Sequence, residues 1–176
     1  MEFAIELFFD AASEERVRSY WRRMGNDYLL RLRATPHVTI GCFTDIPLAR
    51  ANEALHAAAQ TIPPFPLTFQ SVGMFTHPKP WLFLAPVVTR ELLDVHARLF
   101  EAFGFCDSAK FPYYRPGQWV PHCAVCPARS PREFARAARV LARAHEPFTA
   151  QVVSMAWVEI TRPMKVIGTA ALCAYD

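Results

Sequence analysis

The chain has 176 residues, of which 52% are hydrophobic and 20% are charged, and its formal net charge is +3. This balance excludes a disordered chain and predicts a globular protein with a sizeable core. The sequence also lacks an apolar run of about 18 residues, the length of a membrane helix, and its N-terminus lacks a signal-peptide pattern.

The hydrophobic periodicity predicts strands and helices that alternate along the chain. In the first half, strands are expected at 3–9, 36–43 and 67–75, separated by helices that end near residues 24 and 62. In the second half, strands are expected at 81–88, after residue 119, at 148–160 and at 165–174, with helices at about 90–103 and 131–144. Asp10 or Ser13 is expected to cap the first helix. The segment Ser130-Pro131-Arg132-Glu133 is a capping box with proline at the first helical position.

Two segments of the chain share one frame. Pro36-His37-Val38-Thr39-Ile40 returns 85 residues later as Pro121-His122-Cys123-Ala124-Val125. A proline that opens a helix follows each segment, and a proline-rich break at 77–80 separates the two halves. This internal repeat predicts a single bilobal α+β domain over residues 1–176, with halves at about 1–76 and 77–176. Each lobe would be an antiparallel sheet with two helices, and a pseudo-twofold axis would place a groove between the lobes.

The repeated histidines are the main candidate site. Alternate side chains of a strand share a face, so His37 should lie beside Thr39, and His122 beside Ala124. Two imidazoles that face one another across a groove could take and give the protons of an acid–base reaction at a phosphate. The alternative is that both are ordinary histidines hydrogen-bonded near the lobe interface, and that Thr39 is a threonine chosen for its strand propensity.

The two segments resemble the paired H-x-(T/S)-hydrophobic motifs of the two-histidine (2H) phosphoesterase superfamily, which includes 2'-5' RNA ligase-like proteins and cyclic nucleotide phosphodiesterases. His37-Val38-Thr39-Ile40 fits the motif fully, whereas Ala124 stands where the family has a hydroxyl. The resemblance covers essentially the whole chain.

That resemblance implies a metal-independent phosphodiesterase that needs no cofactor and acts on RNA ends or small cyclic nucleotides. The expected reaction is the opening of a 2',3'-cyclic phosphate, or in reverse the formation of a 2'-5' linkage, with Thr39 donating to a phosphate oxygen. Because of Ala124, a catalytically weakened nucleotide- or RNA-binding module is the alternative. A protein-interaction domain is a third hypothesis, although no obligate protein partner is evident.

The segment from Lys110 to Gly117 mixes basic and aromatic residues just before the second histidine. A long loop in this position is often functional. Arg115 could pair with phosphate oxygens, and Tyr113 or Tyr114 could stack on a nucleobase. The alternative is a surface loop whose aromatic rings pack on the core, as we expect for Trp119.

Four arginines share one face of the last predicted helix: Arg132, Arg136, Arg139 and Arg143. They could hold an RNA backbone, or form the solvated face of an amphipathic helix. Cys123 and Cys126 lie near His122, but no second cluster has zinc spacing, so no metal site is predicted. The five cysteines are odd in number and lack framework spacing, which predicts reduced thiols and a cytoplasmic location, with no membrane as partner.

Overall fold

A computed structural model describes residues 1–25, 27–77, 79–128 and 130–173. Its strands are β1 Phe3–Phe9, β2 His37–Phe43, β3 Phe65–Phe75, β4 Trp81–Pro86, β5 Cys123–Pro127, β6 Phe148–Glu159 and β7 Lys165–Ala171. Its helices are α1 Ala11–Arg23, α2 Tyr28–Arg31, α3 Leu48–Ala59, α4 Arg90–Ala102 and α5 Pro131–Ala144, and Pro112–Tyr114 form a 3₁₀ turn. The α+β class is confirmed. Ala174, the predicted end of the last strand, lies outside the described residues.

Local sequence signals account for where helices begin. The Asp10 side chain accepts a hydrogen bond from the backbone N–H of Ser13 at 2.7 Å, so Asp10 is the cap of α1. The Ser130 hydroxyl accepts from the N–H of Glu133 at 3.2 Å, and Pro131 is the first residue of α5. The predicted capping box therefore begins α5 as expected. The short helix α2 was not predicted.

The strands form one antiparallel sheet in the order β2-β1-β6-β3-β4-β5, with β7 paired to β6. Strand β6 is shared, because its first residues pair with β3 and its later residues pair with β7. On its other edge the later part of β6 pairs with β1. The two predicted lobes are thus two groups of strands, β2-β1-β6-β7 and β5-β4-β3, joined through β6.

These groups do not follow the halves of the chain, since β6 comes from the second half and pairs with β1 and β3 from the first. β2 and β5 are the outermost strands of the sheet order, yet they contact one another. The contact includes a hydrogen bond from the backbone N–H of His37 to the thiol sulfur of Cys123. The fold therefore brings together the two strands at which the repeated histidines lie.

The main core lies between the helices and one face of the sheet. Trp21 of α1 and Trp157 of β6 are among its largest fully buried side chains. Each indole N–H donates to a backbone carbonyl, Trp21 to Ala124 at 2.9 Å and Trp157 to Ala51 at 3.0 Å. These bonds tie α1 to β5 and β6 to α3. No helix in the described part of the chain is long and apolar enough to cross a bilayer.

Candidate functional site

Strands β1 and β2 set the direction of the first histidine. Phe8 pairs with His37 across the two strands, and Glu6 pairs with Thr39. Cross-strand partners share a face of the sheet, so these four side chains lie on the same side. This is the face opposite the main core, because Phe8 and its neighbours form a separate small cluster. The register therefore places the side chains of His37 and Thr39 on the same face, as predicted.

Both histidines are held in the same way at their inner ring nitrogen. His37 Nδ1 lies 2.6 Å from the carbonyl oxygen of Thr35, and His122 Nδ1 lies 2.8 Å from that of Val120. In each case the carbonyl belongs to the residue two positions earlier. A carbonyl only accepts, so Nδ1 carries the hydrogen, and a neutral ring then keeps its lone pair on Nε2. The repeat therefore fixes one tautomer twice, with Nε2 left for chemistry.

His122 rests on aromatic rings. Its ring centroid lies 4.8 Å from that of Phe75, edge to face, and 5.3 Å from that of Phe83. Gly73 makes room for this arrangement, because a Cβ at that position would come within 2.3 Å of the Phe83 ring. Ala124 pairs with Phe83 across β4 and β5, which places position 124 on the His122 side of the strand. The second motif thus shares the geometry of the first, without its hydroxyl.

The two imidazoles interact electrostatically. Burial lowers the pKa of His37 below 6.5, against the opposing effect of its bond to Thr35. Burial also lowers the pKa of His122, and the nearby His37 lowers it further. The two imidazoles are therefore within electrostatic range of one another. Both rings are therefore predominantly neutral near pH 7 when the site is empty, and a bound anion would favour the protonated form.

Thr39 is buried, and its hydroxyl is hydrogen-bonded to the phenol of Tyr114, which is also hydrogen-bonded to the thiol of Cys42. Tyr114 reaches both because of a β-bulge in β2 that moves Cys42 onto the Thr39 face. Tyr114 is thus a partner of Thr39 and packs against Phe111, and its role in base stacking stays a prediction. Burial raises its pKa well above 10, so the phenol keeps its proton.

Hydrogen bonds from Trp119 and His96 connect the loop before β5 and helix α4 to β2. The Trp119 indole donates to the carbonyl of Thr39 at 3.0 Å, and His96 Nε2 lies 3.1 Å from the carbonyl of Ile40. The Trp119 and His96 rings stack with centroids 3.9 Å apart and planes 5° from parallel. Trp119 therefore packs as predicted, and it positions the strand that carries His37. The role of His96 was not predicted, since a histidine inside an amphipathic helix carries no local signal of its partner.

Glu6 is the other residue that the sequence analysis missed. It is 2% exposed, and its Oε2 lies 3.3 Å from His37 Nδ1. Burial raises its pKa from 4.5 to about 8. A signal was present, because Glu6 interrupts a strand whose other residues, Phe3 to Phe9, are all apolar and buried.

The remaining predicted residues lie at the surface. Tyr113 is 56% exposed, with its ring centroid 5.0 Å from that of Tyr114. Arg115 is exposed, and it makes no ion pair with any residue that the structure describes. Both are open to a ligand. Their roles in base stacking and phosphate binding stay predictions.

The four arginines of the predicted stripe lie along α5 and line a groove of about 320 Å³. Ala137 and Leu141, on the buried side of α5, belong to the main core. That core lies on the face of β4 opposite to His122 and Phe83, so the stripe is on the far side of the sheet from the histidines. Among residues 1–25, 27–77, 79–128 and 130–173, no group of three or more metal-ligating side chains could hold an ion.

Comparison with known proteins agrees with this architecture. The crystal structure of TT0787 from Thermus thermophilus is similar with a TM-score of 0.65 at 15% identity, covering 100% of each chain. Escherichia coli LigT complexed with 3'-AMP has a TM-score of 0.58 at 14% identity, covering 97% of each chain. A structure described as a phosphoesterase has a TM-score of 0.56 at 17% identity, also covering 97% of each chain. At these identities the likeness shows the fold.

Sequence comparison identifies the family. A search of curated proteins finds no match to the chain. The family model of the 2'-5' RNA ligase superfamily, however, matches residues 9–163, which include both histidine segments and every strand except β1 and β7 over their full length. The chain therefore belongs to the 2'-5' RNA ligase superfamily, the two-histidine phosphoesterases.

Proposed function

We propose that the protein is a metal-independent phosphodiesterase that opens 2',3'-cyclic phosphates on RNA ends or small nucleotides. One observation carries the proposal: His37 and His122 interact electrostatically, and each has Nδ1 held by the carbonyl two residues earlier, which leaves its Nε2 to take or give a proton. Two such groups can take and give a proton in one reaction. The structure of LigT with 3'-AMP shows a nucleotide bound to a protein of this fold, which supports a nucleotide substrate here.

The proposed reaction moves two protons. One imidazole takes a proton from water as the water oxygen bonds to phosphorus. The bond from phosphorus to one ribose oxygen then breaks, and the other imidazole gives that oxygen a proton. The reverse reaction would form a 2'-5' linkage from a cyclic phosphate and a 5'-hydroxyl.

Neighbouring side chains would hold the phosphate. In the free protein the Thr39 hydroxyl donates to the Tyr114 phenol, which donates in turn to the Cys42 thiol. A bound substrate would take the Thr39 hydroxyl hydrogen for a phosphate oxygen. Arg115 would pair with the phosphate from the exposed loop, and Tyr113 would contact the base. Such a site suits an RNA terminus or a small cyclic nucleotide in the cytoplasm.

A second candidate is favoured by Ala124. It occupies the His122 side of β5 at the position where the family motif has a hydroxyl, so one phosphate donor is missing. A protein with this site could bind nucleotides or RNA and turn them over slowly.

Turnover separates the two candidates. The purified protein is incubated in excess EDTA with a 2',3'-cyclic mononucleotide, and with an oligonucleotide that ends in a 2',3'-cyclic phosphate. We expect conversion to a single phosphomonoester isomer, because a fixed acid protonates only one of the two ribose oxygens. Nucleotide binding without product would favour the binding module. Activity that is lost in EDTA and restored by a divalent ion would refute the metal-independent mechanism.

A further inference from the structure

Glu6 is a buried carboxyl group beside His37 that the proposed reaction does not yet use. Its Oε2 lies 3.3 Å from His37 Nδ1, the nitrogen that also faces the carbonyl of Thr35. Within the described residues, His37 is the only ion-pair partner of Glu6, and no lysine or arginine lies within reach. A buried carboxyl group without a cation is costly to ionise, so the protonation state of Glu6 and that of its neighbour His37 are expected to depend on one another.

The second histidine has no such group. His122 Nδ1 faces the carbonyl of Val120, and its ring lies against Phe75 and Phe83. No carboxyl lies within ion-pair distance of His122 in the part of the chain that the structure describes. The two repeated histidines therefore differ in the side chains that support them. One imidazole is backed by a carboxyl group, and the other lies on apolar rings.

The asymmetry separates the roles of the two imidazoles. A carboxyl group at Nδ1 stabilises the imidazolium that forms when Nε2 takes a proton, which suits a general base. Apolar rings destabilise an imidazolium and favour release of its proton, which suits a general acid. We infer that Glu6 and His37 form a carboxyl–imidazole pair that makes His37 the general base of cyclic phosphate hydrolysis and leaves His122 as the general acid. This inference rests on the proposed phosphodiesterase function.

The proton steps balance in this assignment. Water gives a proton to Nε2 of His37 as its oxygen bonds to phosphorus, and the departing ribose oxygen takes a proton from Nε2 of His122. The two rings then exchange protons with solvent to restore the starting state. Glu6 touches neither water nor phosphate in this scheme. It is a positioning residue that acts through His37.

The surroundings of Glu6 determine what pH would reveal. Glu6 faces His37, Thr39 and Cys42 on β2 and Ala156 on β6. It also interacts electrostatically with Cys123 on β5. Burial raises the pKa of each of these two thiols to about 12, so neither ionises below pH 9. Glu6 itself, with a pKa raised to about 8, is then the group of this set that ionises between pH 7 and 9. Above that pH the ionised carboxylate makes His37 a stronger base.

The test compares the wild type with Glu6→Gln, which keeps the shape of the side chain and cannot ionise. We expect the ratio of wild-type to variant kcat/KM on a 2',3'-cyclic nucleotide to increase as pH rises through about 8, reaching about 10–100-fold. Glu159→Gln is the matched control on β6, and its ratio to wild type should stay flat. A Glu6→Gln ratio that is also flat would overturn the inference.

A second measurement needs neither turnover nor a variant. In the wild type, NMR titration of the His37 ring should show an inflection near pH 8 in addition to its own, because the carboxyl group 3.3 Å away ionises there. The His122 ring should lack that inflection. If His37 lacks it as well, the pair does not exist. If the inflection is present but no cyclic phosphate is opened, the proposed function fails while the pair stands.

An activated substrate tests the assignment of roles. Bis(4-nitrophenyl) phosphate has a leaving group that departs without a proton, so it needs the base and not the acid. We expect His122→Ala to lose far less activity on this ester than on the cyclic nucleotide, and His37→Ala to lose about as much on both. The opposite pattern would make His122 the base and overturn the assignment.

Discussion

The burial of Glu6 has a thermodynamic consequence that can be measured without a substrate. In the folded protein its pKa is raised from 4.5 to about 8, because the carboxylate would lose its hydration inside the sheet. The unfolded chain ionises Glu6 near pH 4.5, whereas the folded protein keeps it protonated until about pH 8. The folded state therefore binds more protons in this window, and Glu6 makes the free energy of unfolding fall as pH rises through it.

The size of the effect follows from that interval. A rise in pKa from 4.5 to about 8, at 1.36 kcal/mol per pH unit, corresponds to about 5 kcal/mol across the window. His37 and His122 act with the opposite sign, because their lowered pKa values make stability fall as pH drops below 6.5. The histidines titrate below pH 6.5, where Glu6 is still protonated in the wild type. Both rings therefore meet a neutral side chain at position 6 in the wild type and in Glu6→Gln, so their contribution cancels in a comparison of the two proteins.

Urea unfolding of the wild type and Glu6→Gln between about pH 4.5 and 8.5 measures this difference. We expect the stability of the variant relative to the wild type to increase steadily with pH, by about 5 kcal/mol in total, and to level off above about pH 8. Ionisation of Glu6 is reported by the way the stability difference changes with pH. A loss of packing in the variant that is the same at every pH does not affect that change. A difference that is constant across the range would refute the reasoning, since Glu6 would then ionise as it does in the unfolded chain.

Three further variants test other parts of the molecule. Ala124→Thr restores the hydroxyl of the second motif, so it should raise kcat on a 2',3'-cyclic nucleotide by up to about 10²-fold; an unchanged rate in a stable variant would mean that position 124 does not face the phosphate or that another donor already serves it. Gly73→Ala places a methyl group against the Phe83 ring, so it should lower the free energy of unfolding by about 1–3 kcal/mol in thermal unfolding. It should also lower kcat, because it displaces the ring on which His122 lies. Full activity would show that this aromatic support is dispensable. Neutralising Arg136 and Arg139 together should leave turnover of a cyclic mononucleotide within about twofold of wild type, because α5 lies on the far side of the sheet from the histidines. A flatter salt dependence of RNA binding in the same variant would assign these arginines to the RNA backbone.

Much of the fold follows from local patterns in the chain. Strand β1 is an almost continuous run of apolar residues that are all buried, and a capping box begins α5, so both elements could be placed from short segments. The two histidine segments could be paired because the same frame occurs twice. The contact between β2 and β5 could also be predicted, because a repeated pattern implies equivalent positions in two related units.

Local patterns do not predict which strands pair when they are far apart in the sequence. The sequence marks 148–160 as one strand, but it does not say that β6 would pair with β3, β7 and β1 along different parts of its length. The bulge in β2 likewise depends on register against β1, and it is this bulge that brings Cys42 to the Thr39 face for Tyr114. Glu6 meets His37 only through that same register. These contacts are decided by packing across strands, which a local period does not record.

The central claim is that His37 and His122 act together on a cyclic phosphate, and one measurement tests it most directly. Initial rates of 2',3'-cyclic nucleotide opening are compared for the wild type, His37→Ala and His122→Ala, with His56→Ala on the exposed side of α3 as the matched control. We predict that either site substitution lowers kcat by about 10²–10⁴-fold while the control keeps the wild-type rate. Near-full activity in either His37→Ala or His122→Ala would contradict the two-histidine mechanism.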